Sequence, residues 1–188
     1  KNELLAYMNT FYVDNFNESA KSKYMGIGFG NNQDKTSSYQ LAKILKAHKI
    51  DVFETNDQKF KYYVPIKQKK SKLIKAMFDT QTKFEDSLFY DVSAWTFPLA
   101  FNLNYDFLKE SFDVNKLFEK PVGKVSDFST YGYLIKPHDY NIPAFINYLQ
   151  EKKIRLKSSS KSFKIKNNFF DYGSILIPCL LYTSPSPR

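Results

Sequence analysis

The chain has 188 residues, of which 43% are hydrophobic and 18% aromatic, so it is long and apolar enough to bury a core, which excludes a disordered chain. Its net charge is +9, yet only Arg155 and Arg188 among the 28 basic residues are arginine, the residue best suited to paired contacts with phosphates and bases. We therefore expect no nucleic-acid partner. No apolar run approaches the roughly 20 residues that cross a bilayer, so we also expect no membrane span.

The first predicted element is a helix over residues 1–20, because apolar residues recur there at helical spacing. The stretch KYMGIGFG then predicts a strand that ends in glycines, and KTSSYQLAKILKAHKI predicts a helix capped by Thr36 or Ser37. DVFET and KFKYYVPI predict two further strands. The lysine-rich run after them predicts a helix over residues 71–78 with its lysines facing solvent.

In the second half, DSLFYDVSAW predicts a strand and SAWTFPLAFNL a helix, whereas residues 106–128 are weakly patterned. YGYLIKP, DYNIPAFINYLQEKK, IRLKS and FFDYGSILIP then predict a strand, a helix and two strands. No internal repeat is evident. Because strands alternate with helices, the pattern predicts an α/β fold of three layers. Its mostly parallel sheet is covered on both faces, in a flavodoxin-like or amidotransferase-like arrangement.

Five residues form the predicted ligand surface, and none of them is assigned a catalytic role. Open α/β sheets bind ligands beyond the carboxyl ends of their parallel strands. That edge would gather the residues at two predicted strand ends, namely Gly28, Gly30, Asp91, Ser93 and Trp95. The glycines do not match the Gly-x-Gly-x-x-Gly pattern of dinucleotide-binding loops, so we expect a tight turn there and no bound cofactor.

The histidines offer little for catalysis, because neither stands in a His-x-x-Glu pair, and we predict no metal site and no catalytic residue in this chain. The alternative is a freestanding α/β hydrolase-type enzyme, with Ser93 as nucleophile and His138 as base. Asp91 or Asp139 would orient the base. A nucleophile elbow needs glycines two residues either side of the serine, and Asp91 and Trp95 stand there instead. This favours Ser93 as a helix cap.

The last ten residues, CLLYTSPSPR, differ from the rest of the chain. Their Ser-Pro pattern suits neither helix nor strand, and their codons can be those of an adapter used in sequencing libraries. We therefore predict that residues 179–188 are translated adapter, and that the chain is an internal fragment of a longer protein. Without Cys179 the chain has no cysteine, so we expect no disulfide, zinc-thiolate site or cysteine nucleophile.

Five stretches resemble, in this order, a group of large secreted bacterial zinc carboxypeptidase-like proteins of the carboxypeptidase A type. They are YYVPIKQKKSKLIKAMF, FYDVSAWTFPLAFNL, YGYLIKP, NIPAFINYLQEKKIRLK and FFDYGSILIP. The resemblance covers residues 20–178, and DVSAW is its most specific word. It implies a zinc-dependent peptidase domain in the parent, with the zinc ligands and general base outside this chain.

The same resemblance implies a class I glutamine amidotransferase-like α/β domain over residues 21–178. With the leading helix over 1–20 and the adapter-derived tail over 179–188, the chain is predicted to have three parts. Because an active amidotransferase needs a cysteine nucleophile, the resemblance implies a noncatalytic accessory domain that is structural or positions substrate. The implied partners are the parent's own peptidase domain and peptide substrate. The implied location is secreted or periplasmic, and zinc is expected only in the parent's missing catalytic domain.

Overall fold

The computed structural model describes residues 2–80, 96–115, 118–125 and 127–179. The chain forms two compact units, Lys1–Pro121 and Val122–Arg188. Within the described ranges, no helix has the length and apolar character needed to cross a bilayer.

The described residues of the first unit form four helices and a five-stranded sheet. Its elements are α1 (Asn2–Ala20), β1 (Gly26–Phe29), α2 (Lys35–Ala47), β2 (Phe53–Thr55), β3 (Tyr62–Pro65), α3 (Ser71–Phe78), α4 (Phe97–Ala100), β4 (Tyr105–Leu108) and β5 (Val114–Asn115). The strand order is β4-β1-β3-β2-β5, and every neighbouring pair is antiparallel. The predicted leading helix and the predicted lysine-rich helix are confirmed as α1 and α3.

The predicted three-layer α/β fold with a mostly parallel, flavodoxin-like or amidotransferase-like sheet is wrong. Helix α2 does join two parallel strands, β1 and β2, but these are not neighbours, because β3 lies between them and runs antiparallel to both. Residues 56–61 connect β2 to β3, and a parallel crossover needs about a dozen residues, so this connection makes a hairpin. Since neighbouring strands alternate in direction, their carboxyl ends do not share one edge.

The core of the first unit lies between this sheet and its helices. Strand β1 is buried along its whole length, and α2 and α3 each bury one face. Burial of one such aliphatic or aromatic side chain contributes about 1.5–3 kcal/mol. The largest fully buried apolar side chains are Tyr62, Phe29, Phe60, Phe78, Ile27, Leu41, Leu45, Ile50, Ile66, Ile74 and Val64.

The second unit is smaller, and the part of it that the structure describes has a three-stranded sheet and a separate hairpin. Its elements are β6 (Gly132–Ile135), α5 (Ile142–Glu151), β7 (Lys157–Ser158), β8 (Phe163–Ile165), β9 (Asn168–Phe170) and β10 (Ile175–Pro178). The sheet order is β6-β10-β7, and both of its pairings are antiparallel. Strands β8 and β9 form the hairpin, whose Phe163 and Phe170 rings stack at 5.2 Å.

The two units repeat one arrangement of strands. In the first, α2 joins β1 to β2 and β3 lies antiparallel between them; in the second, α5 joins β6 to β7 and β10 lies antiparallel between them. The chain therefore contains an internal repeat of one strand-helix-strand unit with an inserted strand, which the sequence had not revealed.

The register of the strands repeats as well. Gly26, at the start of β1, lies opposite Pro65 at the end of β3, and Gly132, at the start of β6, lies opposite Pro178 at the end of β10. In each unit the residue after the proline donates its backbone N–H to the carbonyl oxygen of the residue before the glycine. Both bonds are 3.0 Å long, and they join Ile66 to Met25 and Cys179 to Tyr131.

Candidate functional site

A cavity of about 440 Å³ opens in the first unit, where three segments of the sheet and one helix end converge. The turn before β1 supplies Tyr24, the residue after β3 is Ile66, and β4 supplies Phe107. Backbone hydrogen bonds hold these segments together, because Met25 N donates to Leu108 O at 2.8 Å and Ile66 N donates to Met25 O at 3.0 Å. The cavity is therefore built on paired backbone.

One wall of the cavity is aromatic. The rings of Tyr24 and Phe107 lie 5.3 Å apart, centre to centre, at an angle of 46°. The Lys23 ammonium lies 4.9 Å from the centre of the Tyr24 ring, within the range of a cation-π contact. Ile66, which also lines the cavity, is buried. This wall suits an apolar or aromatic side chain of a ligand.

Helix α3 supplies the charged part of the cavity lining, because its last turn and its C-terminal cap carry charges of opposite sign. Lys75 is half-buried, Asp79 is exposed, and both line the cavity. The Asp79 backbone N–H donates to Lys75 O at 2.7 Å, and the Thr96 hydroxyl donates to Asp79 O at 2.6 Å, so the backbone at both charges is fixed. A carboxylate at a helix C-terminus is unfavourable with respect to the helix dipole. Binding a ligand cation would account for its position.

These groups can bind a ligand that carries both charges. A lysine ammonium binds a carboxylate, and an aspartate carboxylate binds an ammonium, each through charge-assisted hydrogen bonds. The aromatic wall would hold an apolar side chain between them. A free amino acid or short peptide with an apolar side chain has this combination of groups.

The two predicted glycines of the ligand surface lie in and just after β1, where packing explains them. A Cβ atom at Gly28 would stand 2.6 Å from the Phe60 ring, and one at Gly30 would stand 2.8 Å from Ser38 Oγ. Gly30 also has a φ of +85°, which favours glycine. The other predicted residues, Asp91, Ser93 and Trp95, lie outside the described residues. The ligand surface thus stays a prediction.

His138, the base of the alternative hydrolase, lies in the second unit. Its Nε2 atom is 3.0 Å from Asp171 Oδ2, and both side chains are about half exposed. Asp139 instead accepts a hydrogen bond from the Asn141 backbone N–H, which shapes the turn before α5. The pairing with Asp171 was missed because 33 residues separate it from His138. Ser93 lies outside the described ranges.

The described part of the chain contains no group of three or more His, Cys, Asp or Glu side chains that could hold a metal ion. Cys179 is exposed there.

The sequence reasoning missed all of the cavity residues. One local signal was present, because Asp79 follows a helix whose last turn should favour basic residues. Tyr24 and Phe107 gave no comparable signal. They are far apart in the chain and meet only because β4 pairs with β1.

Comparison with protein-family models, with curated proteins and with solved structures found no match to this chain. The resemblance to zinc carboxypeptidase-like proteins therefore stays a prediction from the sequence.

Proposed function

We propose that this chain is a noncatalytic accessory region of a zinc metallocarboxypeptidase-like protein, in which it positions peptide substrate for proteolysis. The observation that carries the proposal is the cavity that sets Lys75 and Asp79 beside the aromatic pair of Tyr24 and Phe107. The ordered sequence resemblance supports the peptidase parent. In that parent, zinc would be bound by the catalytic domain and peptide by this chain.

The size and lining of the cavity support a small peptide group as the ligand. Ligand pockets commonly have volumes of about 300–1,000 Å³, and this cavity has about 440 Å³. The Lys75 ammonium would bind the ligand carboxylate and the Asp79 carboxylate would bind its ammonium. The Tyr24 and Phe107 rings would contact its apolar side chain.

The test is calorimetric titration of the purified chain with the dipeptide Ala-Phe, which carries an ammonium, a carboxylate and an aromatic ring. We expect Lys75→Met and Asp79→Asn each to weaken binding about 10-fold or more, because each removes one charge-assisted hydrogen bond. Lys43→Met, the same change at an exposed position of α2, should leave binding unchanged.

Capped dipeptides separate the two charges. Amidation of the Ala-Phe carboxylate should weaken binding to the unaltered chain and have little further effect on Lys75→Met. Acetylation of the Ala-Phe amino group should weaken binding to the unaltered chain and have little further effect on Asp79→Asn. If Ala-Phe does not bind, or binds all variants equally, the cavity is not the peptide site.

A peptidase assay tests the noncatalytic part of the proposal. We expect the chain alone to hydrolyse neither peptides nor glutamine. Hydrolysis that disappears in Ser93→Ala and in His138→Ala would contradict the accessory role and establish the hydrolase alternative.

A further inference from the structure

We propose that the outer edge of β6, in the second unit, binds an extended peptide by adding it as an antiparallel strand. The inference deepens the proposed role in peptide positioning and rests on it. It concerns residues other than those that line the cavity, because the described lining residues all belong to the first unit.

The internal repeat shows what the edge of β6 accepts. Strand β6 corresponds to β1, and each starts at a glycine opposite a proline. In the first unit, β1 pairs on one side with β3 and on the other side with β4, which runs antiparallel to it. In the second unit, β6 pairs with β10, and no strand in the described ranges pairs with its other side. No described strand takes, in the second unit, the position that β4 takes in the first.

The hydrogen bond from Cys179 N to Tyr131 O determines which backbone groups of β6 face outward. In an antiparallel pair the residues alternate between those that bond to the partner and those that point away. Tyr133 and Ile135 therefore bond to β10, and Leu134 directs its N–H and C=O outward. The Gly132 N–H also points outward and donates to Ser129 Oγ at 3.2 Å. Leu134 thus carries the central donor and acceptor of the edge.

The edge of β6 carries no charge and no proline, two features that usually protect an edge strand from pairing. Natural edge strands are shortened, or they carry charges or prolines. At the opposite edge of the same sheet, β7 spans only Lys157–Ser158, and in the first unit the edge strand β4 carries Asp106. Strand β6, with the sequence GYLI, has neither a charge nor a proline. An extended peptide can pair with such an edge through its main chain.

The occupant is an extended peptide and not a second copy of β6, because the strand that covers the corresponding edge in the first unit differs from it in sequence. Strand β4 has the sequence YDFL and lies opposite Gly26–Phe29 in antiparallel register. A peptide that copies β4 and its flanking residues is therefore the most direct probe. We choose LNYDFLKE, which corresponds to residues 103–110.

The experiment titrates the full chain with the labelled peptide LNYDFLKE and measures fluorescence anisotropy. Two N-methylated forms of the peptide are compared. Each lacks the N–H donors on one side of the strand, so their affinities show which side pairs with β6. In β4 the N–H groups of residues 106 and 108 face β1, whereas those of 105 and 107 face away. Methylation at the Asp and second Leu of the peptide should weaken binding by about 10-fold or more, and methylation at Tyr and Phe should have little effect.

Variants of the chain give an independent test. Leu134→Pro removes the outward N–H, and an edge strand tolerates proline where its N–H faces away from the sheet. We expect it to abolish peptide binding, whereas Leu134→Ala keeps the backbone donor and should retain most of it. Leu134→Pro should leave Ala-Phe binding in the cavity unchanged, and Asp79→Asn should leave LNYDFLKE binding unchanged, so the two sites can fail separately.

Three results would overturn the proposal: no binding of LNYDFLKE, equal affinities of the two N-methylated forms, or concentration-dependent dimerisation that Leu134→Pro abolishes. The last would assign the edge to a second copy of the chain. The N-methylated peptides need no variant, so the test holds even if Leu134→Pro does not fold.

Discussion

Two lysines that follow helices take a backbone conformation that normally favours glycine. Lys49 and Lys153 each have a φ of 58° and follow the C-terminal caps of α2 and α5. The hydrogen bonds of the two turns match, since Lys49 N donates to Lys46 O and Ile50 N to Leu45 O, with the same pattern 104 residues later. This is the Schellman arrangement, in which glycine is preferred because a Cβ atom destabilises the left-handed region.

We therefore predict that Lys49→Gly and Lys153→Gly each raise the free energy of unfolding by about 1 kcal/mol. Urea unfolding followed by circular dichroism measures the change. Lys43→Gly, inside α2, is the matched control and should lower the free energy by about 1 kcal/mol. If all three glycines destabilise the chain alike, the two lysines do not bear conformational strain.

At the scale of elements, a buried side chain of α1 caps α3. Asn15 is buried, and its Oδ1 atom accepts a 2.9 Å hydrogen bond from the Lys72 backbone N–H in the first turn of α3. The Ser71 hydroxyl donates to the same oxygen at 2.7 Å, and Asn15 Nδ2 donates to the Lys69 carbonyl oxygen. The side chain of Lys70, at the N-cap position of α3, makes no capping hydrogen bond. The Asn15 side chain of α1 therefore caps α3 in its place.

Asn15→Ala should lower the free energy of unfolding by about 1–3 kcal/mol, because it leaves buried groups of α3 without their partner. Urea unfolding measures this loss. Limited proteolysis should show faster cleavage within α1. Asn17→Ala, the same change at an exposed position of the same helix, should have little effect on either measurement. Equal effects of the two changes would mean that Asn15 does not anchor α1.

The sequence predicted the elements better than their pairing, because helices are local and strand pairs are not. Helix α3 was predicted at its observed bounds, since its lysines and apolar residues alternate at helical spacing. The Asn15 cap was not predicted, because Asn15 and Lys72 are 57 residues apart. The direction of β3 was missed, since a strand's own pattern does not tell which neighbour it joins.

At the scale of the whole molecule, the internal repeat relates features of the first unit to features of the second. The cavity lies beside the hydrogen bond from Ile66 N to Met25 O. The corresponding hydrogen bond in the second unit runs from Cys179 N to Tyr131 O. In the first unit β4 both covers β1 and supplies Phe107 to the cavity. The second unit lacks that strand within its described residues. The repeated arrangement thus carries a cavity in the first unit and, among the described residues, an unpaired strand edge in the second. The repeat was hard to see in the sequence because it is defined by register and helix ends, with few identical residues.

The stability of the first unit should fall at alkaline pH because of Tyr62, which is buried in β3 and stacks on Phe29 at 5.5 Å. Burial, and then the negative charge of Glu54, raises the pKa of Tyr62 well above its usual value of 10.0. Above that value the unfolded chain ionises Tyr62 while the folded chain keeps it protonated. The free energy of unfolding therefore decreases as the pH rises, by up to about 1.4 kcal/mol per pH unit.

Tyr62→Phe should reduce this decrease between about pH 9 and about pH 11, measured by urea unfolding. Tyr172→Phe, the same change at a position that is 71% exposed, is the control and should leave the decrease unchanged. Equal slopes for Tyr62→Phe and the unaltered chain would show that Tyr62 ionises freely in the folded state.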